Sequence, residues 1–255
     1  LQGRSSAVLR RIMDRKSDRI VWMDCEMTGL EIDKHTIVEI AVIVTDADLK
    51  TVAEGPNIVI HQDEETLSRM NDWCKDKFSK NGLIERIRAS KVEMAEAEEQ
   101  ILAFLKIHVL EKTAILTGNS IYMDRFYVMK YMPRLDAYLH HRLIDVDSIS
   151  EASYRLYPQS IACAPKKKMV HRALDDIKEA ISELKYYKTT TKAKHTSDPG
   201  YWSSNPSISL AQFDARKKTY DKADRLAWMD CKMDESNTIE MAVIVTDRKL
   251  NVRIE

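Results

Sequence analysis

The run TIVEIAVIVT at residues 36–45 restricts the fold most, because the β-branched residues that dominate it favour a β-strand. Shorter apolar runs at residues 20–23 and 57–61 predict two further strands in the same meander. Apolar residues then recur at helical spacing, most clearly over residues 91–106. Strands first, then strands alternating with helices, indicate an α/β fold with a mixed central β-sheet flanked by helices.

The other predicted elements follow along the chain. They comprise strands at residues 114–116 and 143–146, and helices at 64–77, 83–89, 123–131 and 173–187. The turn Gly118-Asn119 is expected to open the helix at 123, and Pro133 is expected to stop it, since proline breaks a helix interior.

The first strands return near the end of the chain as a partial internal duplication. RIVWMDCEM at residues 19–27 recurs as RLAWMDCKM at 225–233, and IVEIAVIVTDADL at 37–49 recurs as TIEMAVIVTDRKL at 238–250. The incomplete copy and the missing initial Met indicate a fragment of a longer protein or an incorrect gene model. We predict four segments: an N-terminal extension (1–18), a main domain (19–188), a linker (189–224) and a truncated, degenerate repeat (225–255).

Charge and composition narrow the class of protein. Lys plus Arg equals Asp plus Glu, 40 of each, so the formal net charge is zero. Because proteins that coat long nucleic acid need a basic excess, any nucleic acid bound here is expected to be short. The four cysteines lack metal-finger spacing and are expected to be reduced thiols of an intracellular protein. No apolar run approaches the roughly 20 residues of a membrane helix. The Arg-rich residues 1–19 resemble a mitochondrial transit remnant, which leaves a mitochondrial or a cytoplasmic compartment open.

Acidic residues lie at the end of one predicted strand and at the start of one predicted helix. Asp24 and Glu26 follow a short strand, and residues two apart in a strand point to one face, so the two carboxylates are expected to project together. Hard divalent cations prefer such oxygen ligands. Asp124 lies at the start of a predicted helix, where it could equally be a helix-capping acid.

A histidine and two further acids open the last predicted helix. His171 is suited to accept a proton from water near neutral pH. Spacing on a continuous helix favours Asp175 as its partner, whereas a His171 in the preceding loop makes Asp176 equally suitable. Together, these acids and the histidine match what two-metal phosphodiester hydrolysis requires.

Four motifs carry a specific family resemblance. WMDCEMTGL (22–30), MNDWC (70–74), GNSIYMDRFYVMKYMPRL (118–135) and HRALDDIKEAISELKYY (171–187) resemble, in order, the motifs of the oligoribonuclease group of DEDDh 3′–5′ exonucleases. The resemblance spans residues 19–188 and implies an RNase H-like exonuclease fold, with helices on both faces of the sheet. It also implies hydrolysis of RNAs of about two to five nucleotides to nucleoside 5′-monophosphates, by a homodimer.

The resemblance also implies roles for individual residues. The ligands of two Mg²⁺ or Mn²⁺ ions would be Asp24, Glu26, Asp124 and Asp176, which decides between the two neighbouring acids in favour of Asp176. His171 would be the general base. Leu30 and Trp73 would contact a nucleobase, and Ser120 and Arg142 would bind the 5′ phosphate.

The sequence departs from the family pattern in both copies. His141, Asp147 and Phe78 replace the family's Tyr, Ser and His around the phosphate site, and an aspartate there should weaken the preference for dinucleotides. In the second copy Lys232 replaces the acid equivalent to Glu26, so that copy is expected to be inactive. Two alternatives stay open: a DEDDh exonuclease that trims longer RNA or DNA, and a catalytically silent, duplicated binding module.

Overall fold

A computed structural model describes residues 16–156, 164–168, 170–195, 225–233, 239–247 and 252–253. These residues fall into two compact units. One holds the described residues up to 148 and from 165 to 186, and the other holds the rest. The predicted extension at 1–18 lies almost wholly outside the described residues, as does most of the predicted linker.

The first unit is built on a five-stranded mixed sheet. Its strands are β1 (Ile20–Met27), β2 (Ile37–Thr45), β3 (Thr51–Val59), β4 (Ile115–Gly118) and β5 (Leu143–Asp145), in the spatial order β3-β2-β1-β4-β5. The pairs β1–β2 and β2–β3 are antiparallel, whereas β1–β4 and β4–β5 are parallel. The predicted mixed α/β sheet is therefore confirmed.

Helices connect and cover these strands. They are α1 (Glu64–Ser68), α2 (Asp72–Lys80), α3 (Leu83–Ala89), α4 (Met94–His108), α5 (Ile121–Tyr131), α6 (Pro133–Tyr138), α7 (Val146–Leu156) and α8 (Ala173–His195). None of the helices within the described ranges has both the length and the apolar composition that a membrane span needs.

Alternation along the central strands places helices on both faces of the sheet. Val21 and Met23 pack into the apolar cluster that contains residues of α4 and α5. Trp22, between them, packs with Ile177 and Ile181 of α8 on the opposite face. Every residue of β2 is buried, because this strand is covered on both sides.

Several helices differ from the sequence-based expectation. Asn71 breaks the predicted helix 64–77 in two, because its side chain accepts a hydrogen bond from Cys74 N (2.7 Å) and caps α2. Pro133 does stop α5, but it also begins α6, since proline is well suited to the first turn of a helix. Helix α7 was not predicted. Helix α8 continues through the predicted boundary at 188/189, where no Pro or Gly interrupts the chain before Pro199.

The repeated segment forms a small antiparallel sheet in the second unit. Its strands are β6 (Arg225–Met233), β7 (Ile239–Asp247) and β8 (Val252–Arg253), in that spatial order. Both strands predicted from the duplication are therefore present, together with a short third strand that pairs with β7.

Candidate active site

The central strands β1 and β4 are parallel neighbours. Their carboxyl ends together form the floor of a cleft of about 590 Å³. Asp24 and Glu26 both line this cleft, as their spacing predicts. Gly118, at the end of β4, allows the close approach of the two strands. A Cβ at that position would stand 2.7 Å from the carbonyl oxygen of Met23.

Asp124 reaches the same cleft from the first turn of α5. Ser120 precedes the helix in a left-handed conformation (φ 46°), which turns the chain from β4 into α5. The Asp124 side chain is buried, and its Oδ1 accepts a hydrogen bond from Cys25 N at 2.7 Å. Asp124 is thus fixed against β1 between Asp24 and Glu26 rather than serving as a helix cap.

The segment before α8 brings His171 and Asp176 to the cleft. His171 lies in the loop with φ 56°, and α8 begins two residues later at Ala173. Asp176 Oδ2 accepts a hydrogen bond from Arg172 N at 3.0 Å. Candidate ligand atoms of Glu26, His171 and Asp176 all lie within 4.8 Å of one another. Asp176 lines the cleft, whereas Asp175 lines a separate pocket, so the loop position of His171 selects the second acid.

A buried ion pair that the sequence reasoning missed anchors this segment. Arg172 donates two hydrogen bonds to the Glu39 carboxylate, at 2.9 and 2.7 Å, and Glu39 is fully buried in β2. The sequence did contain a signal for this ion pair, because an acid inside an otherwise apolar strand requires a buried partner.

Burial and mutual repulsion make the carboxyl groups of the cleft hard to ionise. Burial, followed by the charges of Asp124 and Glu26, raises the pKa of Asp24 well above its usual range. Burial and the Asp176 charge raise the pKa of Glu26 to about 8. Burial raises the pKa of Asp124 to about 7 and that of Asp176 to about 6, although backbone N–H groups oppose both shifts.

These carboxyl groups fit a divalent metal site. Four oxygen-bearing acids share one cleft, where Arg172 lowers the pKa of Glu26 and Lys167 lowers the pKa of Asp176 without reversing either upward shift. A bound divalent cation would offset the repulsion and hold the acids in their ionised form at neutral pH. The donor set is therefore suited to such ions.

Two exposed apolar side chains flank the acids. Leu30 (64% exposed) and Trp73 (53% exposed) both line the cleft, as the sequence predicts. Leu30 stands on the loop between β1 and β2, which is held by a hydrogen bond from the Tyr127 hydroxyl to Gly29 O (2.7 Å). The Trp73 ring meets the His171 ring edge-on, with centroids 4.9 Å apart.

The predicted phosphate-binding residues lie apart. Ser120 lines the cleft, whereas Arg142 is exposed just before β5 and is not among the residues that line it. The Ser120 N–H bonds to Asp145 at the other end of that strand. Arg142 and the cleft are therefore at opposite ends of β5.

Asp147 is held in a network beside Ser120. Its carboxylate accepts hydrogen bonds from the Ser120 hydroxyl (2.8 Å) and from the Asn119 amide (2.7 Å). Lys167 forms ion pairs with Asp147 (3.3 Å) and with the buried Glu183 (2.9 Å). Lys167 sits in a run of three lysines, so its individual role could not be read from the sequence.

Comparison with known proteins agrees with this fold. The model of the Exonuclease family matches residues 21–184, and the chain therefore belongs to this family. It is 49% identical over 190 residues to a probable oligoribonuclease of Caenorhabditis elegans, covering 74% of this chain and 97% of the relative. It is 42% identical over 182 residues to the mitochondrial oligoribonuclease of Bos taurus, covering 71% and 77% of the two chains. Within the family, the chain belongs to the oligoribonucleases.

A solved structure supports the fold alone. Escherichia coli exonuclease I in complex with an oligonucleotide has a TM-score of 0.52 and 14% identity. The match covers 90% of this chain, and the chain spans about 54% of the length of that protein.

Proposed function

We propose that this chain hydrolyses short single-stranded RNA from its 3′ end and releases nucleoside 5′-monophosphates. One observation carries the proposal: Asp24, Glu26, Asp124, Asp176 and His171 line a single cleft in a chain 42–49% identical to oligoribonucleases. The two exposed apolar side chains at the rim suit a nucleobase at the 3′ end.

The four acids would hold two divalent ions, Mg²⁺ or Mn²⁺. When bound, such ions stabilise the charge on the attacking and leaving oxygens of the phosphodiester. Asp24, Glu26 and Asp124 are fixed by the sheet and by α5, and Asp176 is fixed by the Arg172 backbone. The protein thus supplies a preorganised donor set on rigid elements.

His171 is suited to act as the general base. Burial and the neighbouring Lys77 charge lower the pKa of His171, so the imidazole is neutral at physiological pH and a ring nitrogen is free to accept a proton. That nitrogen takes the proton from the attacking water as the new P–O bond forms. The bond to the 3′ oxygen of the preceding nucleotide breaks, and solvent supplies the proton for that oxygen.

Selection of substrate length depends on the other end of the cleft. While the Ser120 hydroxyl donates to Asp147, it does not donate to a 5′ phosphate, and the Asp147 charge opposes one. We propose that this enzyme therefore discriminates weakly between dinucleotides and somewhat longer RNA. The variant Asp147→Ser restores the serine of the family pattern and should favour the dinucleotide by several-fold in kcat/KM.

A homodimer would complete the phosphate site. Arg142 does not line the cleft of its own chain, and we propose that its phosphate contact is made at the interface of a homodimer. Equilibrium sedimentation tests this: a concentration-independent monomer that still hydrolyses dinucleotides would contradict it.

The proposed compartment is the mitochondrion or the cytoplasm. The Bos taurus relative is named as mitochondrial, and residues 1–19 of this chain are rich in Arg. Import of a full-length fluorescent fusion into mitochondria would decide between the two.

The function is tested with 5′-labelled RNAs of about two, five and twenty nucleotides, each with Mn²⁺ or with EDTA. We expect metal-dependent shortening from the 3′ end by the wild type and almost none by Asp124→Asn. The order of rates across the three lengths, compared with Asp147→Ser, measures the length preference. Absence of cleavage at every length would leave the silent binding module as the function.

A further inference from the structure

Helix α2 presents one line of side chains to the segment that carries His171. Trp73, Lys77 and Asn81 follow one another at intervals of four residues, which places them on one face of the helix and its C-cap. All three interact with this segment or with each other. The contacts join a proposed nucleobase-binding residue to the proposed general base.

Asn81 makes the most specific of these contacts. Its side-chain amide donates hydrogen bonds to His171 O (2.9 Å) and to Val170 O (3.2 Å). Its Oδ1 accepts a hydrogen bond from Leu83 N (3.1 Å), which starts α3. One side chain therefore has two separable tasks, with its donor on the histidine segment and its acceptor on the next helix.

The backbone at His171 needs such contacts. Its φ of 56° lies in the left-handed region, which is unfavourable for a residue with a Cβ. Arg172, on one side, is held by Glu39. The peptide oxygens of residues 170 and 171, on the other side, are held by Asn81. On this same side of the turn the Trp73 ring also contacts the His171 ring.

We propose that Asn81 is a positioning residue for RNA hydrolysis: its amide fixes the 170–171 backbone and thereby sets the His171 imidazole beside Glu26 and Asp176. This inference rests on the function proposed above. Because Trp73 contacts the His171 ring from the same helix face, α2 also links occupation of the nucleobase site to the placement of the base.

Two variants separate the donor of Asn81 from its acceptor. Asn81→Asp keeps an oxygen for Leu83 N and removes the amide donor, whereas Asn81→Ala removes both. The loss of the donor is common to the two variants. We expect kcat to fall by roughly tenfold to a hundredfold in each, with KM within about threefold of wild type, because a displacement near 1 Å has such an effect on rate. Asn57→Asp, an identical change at an exposed position on β3, is the matched control and should keep the wild-type kcat.

The outcomes distinguish the possible explanations. If Asn81→Asp keeps the wild-type kcat while Asn81→Ala is only less thermostable, Asn81 merely starts α3 and the inference is wrong. A crystal structure of Asn81→Asp gives a readout independent of activity, and we expect residues 170–171 to move by about 1 Å or more. If residues 170–171 do not move in this variant, the inference is wrong, whether or not the wild type is active. An inactive wild type would separately refute the proposed function.

Discussion

The chain contains two strand pairs of almost the same sequence, and we propose an active site beside only the first of them. In β1–β2, Asp24 lies opposite Ala41 and Trp22 opposite Ile43. In β6–β7, Asp230 lies opposite Ala242 and Trp228 opposite Ile244. The pairing register is thus the same in both copies as far as Glu26 and Lys232. Strand pairing is encoded by the β-branched runs and is independent of the chemistry beside it.

The two copies differ at the end of their first strand, β1 in one and β6 in the other. Nine residues, 28–36, connect β1 to β2, whereas five residues, 234–238, connect β6 to β7. The β1–β2 register also shifts after Glu26, while β6–β7 pairs regularly from Arg225 to Met233. Lys232 stands in the place of Glu26. We therefore expect that a site needs the acid, the longer turn and the partners Asp124, His171 and Asp176, not the strand pair alone.

The largest effect is expected when the first copy is made to resemble the second. Glu26→Lys should reduce hydrolysis by about a thousandfold or more and abolish Mn²⁺ binding, because an ammonium group in the cleft repels the ions. RNA hydrolysis and calorimetric titration with Mn²⁺ measure the two effects. Glu26→Gln is the control without the added charge, and a Glu26→Lys protein that still binds Mn²⁺ would break the comparison.

The longer turn should matter for binding more than for chemistry. Leu30 has no counterpart in the shorter connection of the repeat, and it is exposed at the rim of the cleft. Leu30→Ala should raise KM for a short RNA by about tenfold and lower kcat little, since covering an exposed Leu side chain is worth about 1.5–3 kcal/mol. Steady-state kinetics test this, with Val52→Ala on β3 as the exposed control. A fall in kcat at unchanged KM would assign Leu30 another role.

The acids of the first copy also predict how stability depends on pH. Without metal, the pKa of Glu26 is about 8 and that of Asp124 about 7, whereas carboxyl groups of an unfolded chain titrate near 4. Between those pH values the folded chain holds protons that the unfolded chain has released. The free energy of unfolding therefore falls as pH rises from about 5 to about 8.5.

Thermal unfolding in EDTA measures this dependence. We expect the midpoint to fall by several degrees across that range, and Glu26→Gln should make the fall smaller. Added Mn²⁺ should raise the midpoint more at the higher pH, where the ligands ionise readily. A midpoint that rises with pH in EDTA is inconsistent with buried, mutually repelling acids.

The smallest effect is expected from the reverse change in the second copy. Lys232→Glu restores the acid but none of the residues that surround Glu26 in the first copy, so hydrolysis and Mn²⁺ binding should stay as in the wild type. The same two assays measure it. A new Mn²⁺ site in this variant would show that the strand pair needs less support than proposed.

The sequence predicted β1, β2 and β4 well because these strands depend on local apolar and β-branched runs, but it placed the third strand at residues 57–61, whereas β3 spans Thr51–Val59. The family motifs placed Asp24, Glu26, Asp124, His171 and Asp176 in one cleft, but they did not predict that Lys167 and Glu179 would also line it. Spacing left Asp175 and Asp176 open, since the choice depends on the left-handed turn at His171, which spacing does not encode. Asn81 and His171 are 90 residues apart, and no local pattern predicts such a contact. Helix α6 was missed because Pro133 was interpreted only as an end.

We propose that the cleft acids hold divalent ions for hydrolysis. This proposal is tested most directly by comparing Asp176→Asn with Asp175→Asn, two neighbouring aspartates of which one lines the cleft and the other lines a separate pocket. The measurement is Mn²⁺-dependent shortening of a 5′-labelled RNA of about five nucleotides, with Mn²⁺ affinity measured in parallel. We predict that Asp176→Asn loses both activities and that Asp175→Asn keeps both. Equal behaviour of the two variants, or loss in Asp175→Asn alone, would contradict the account.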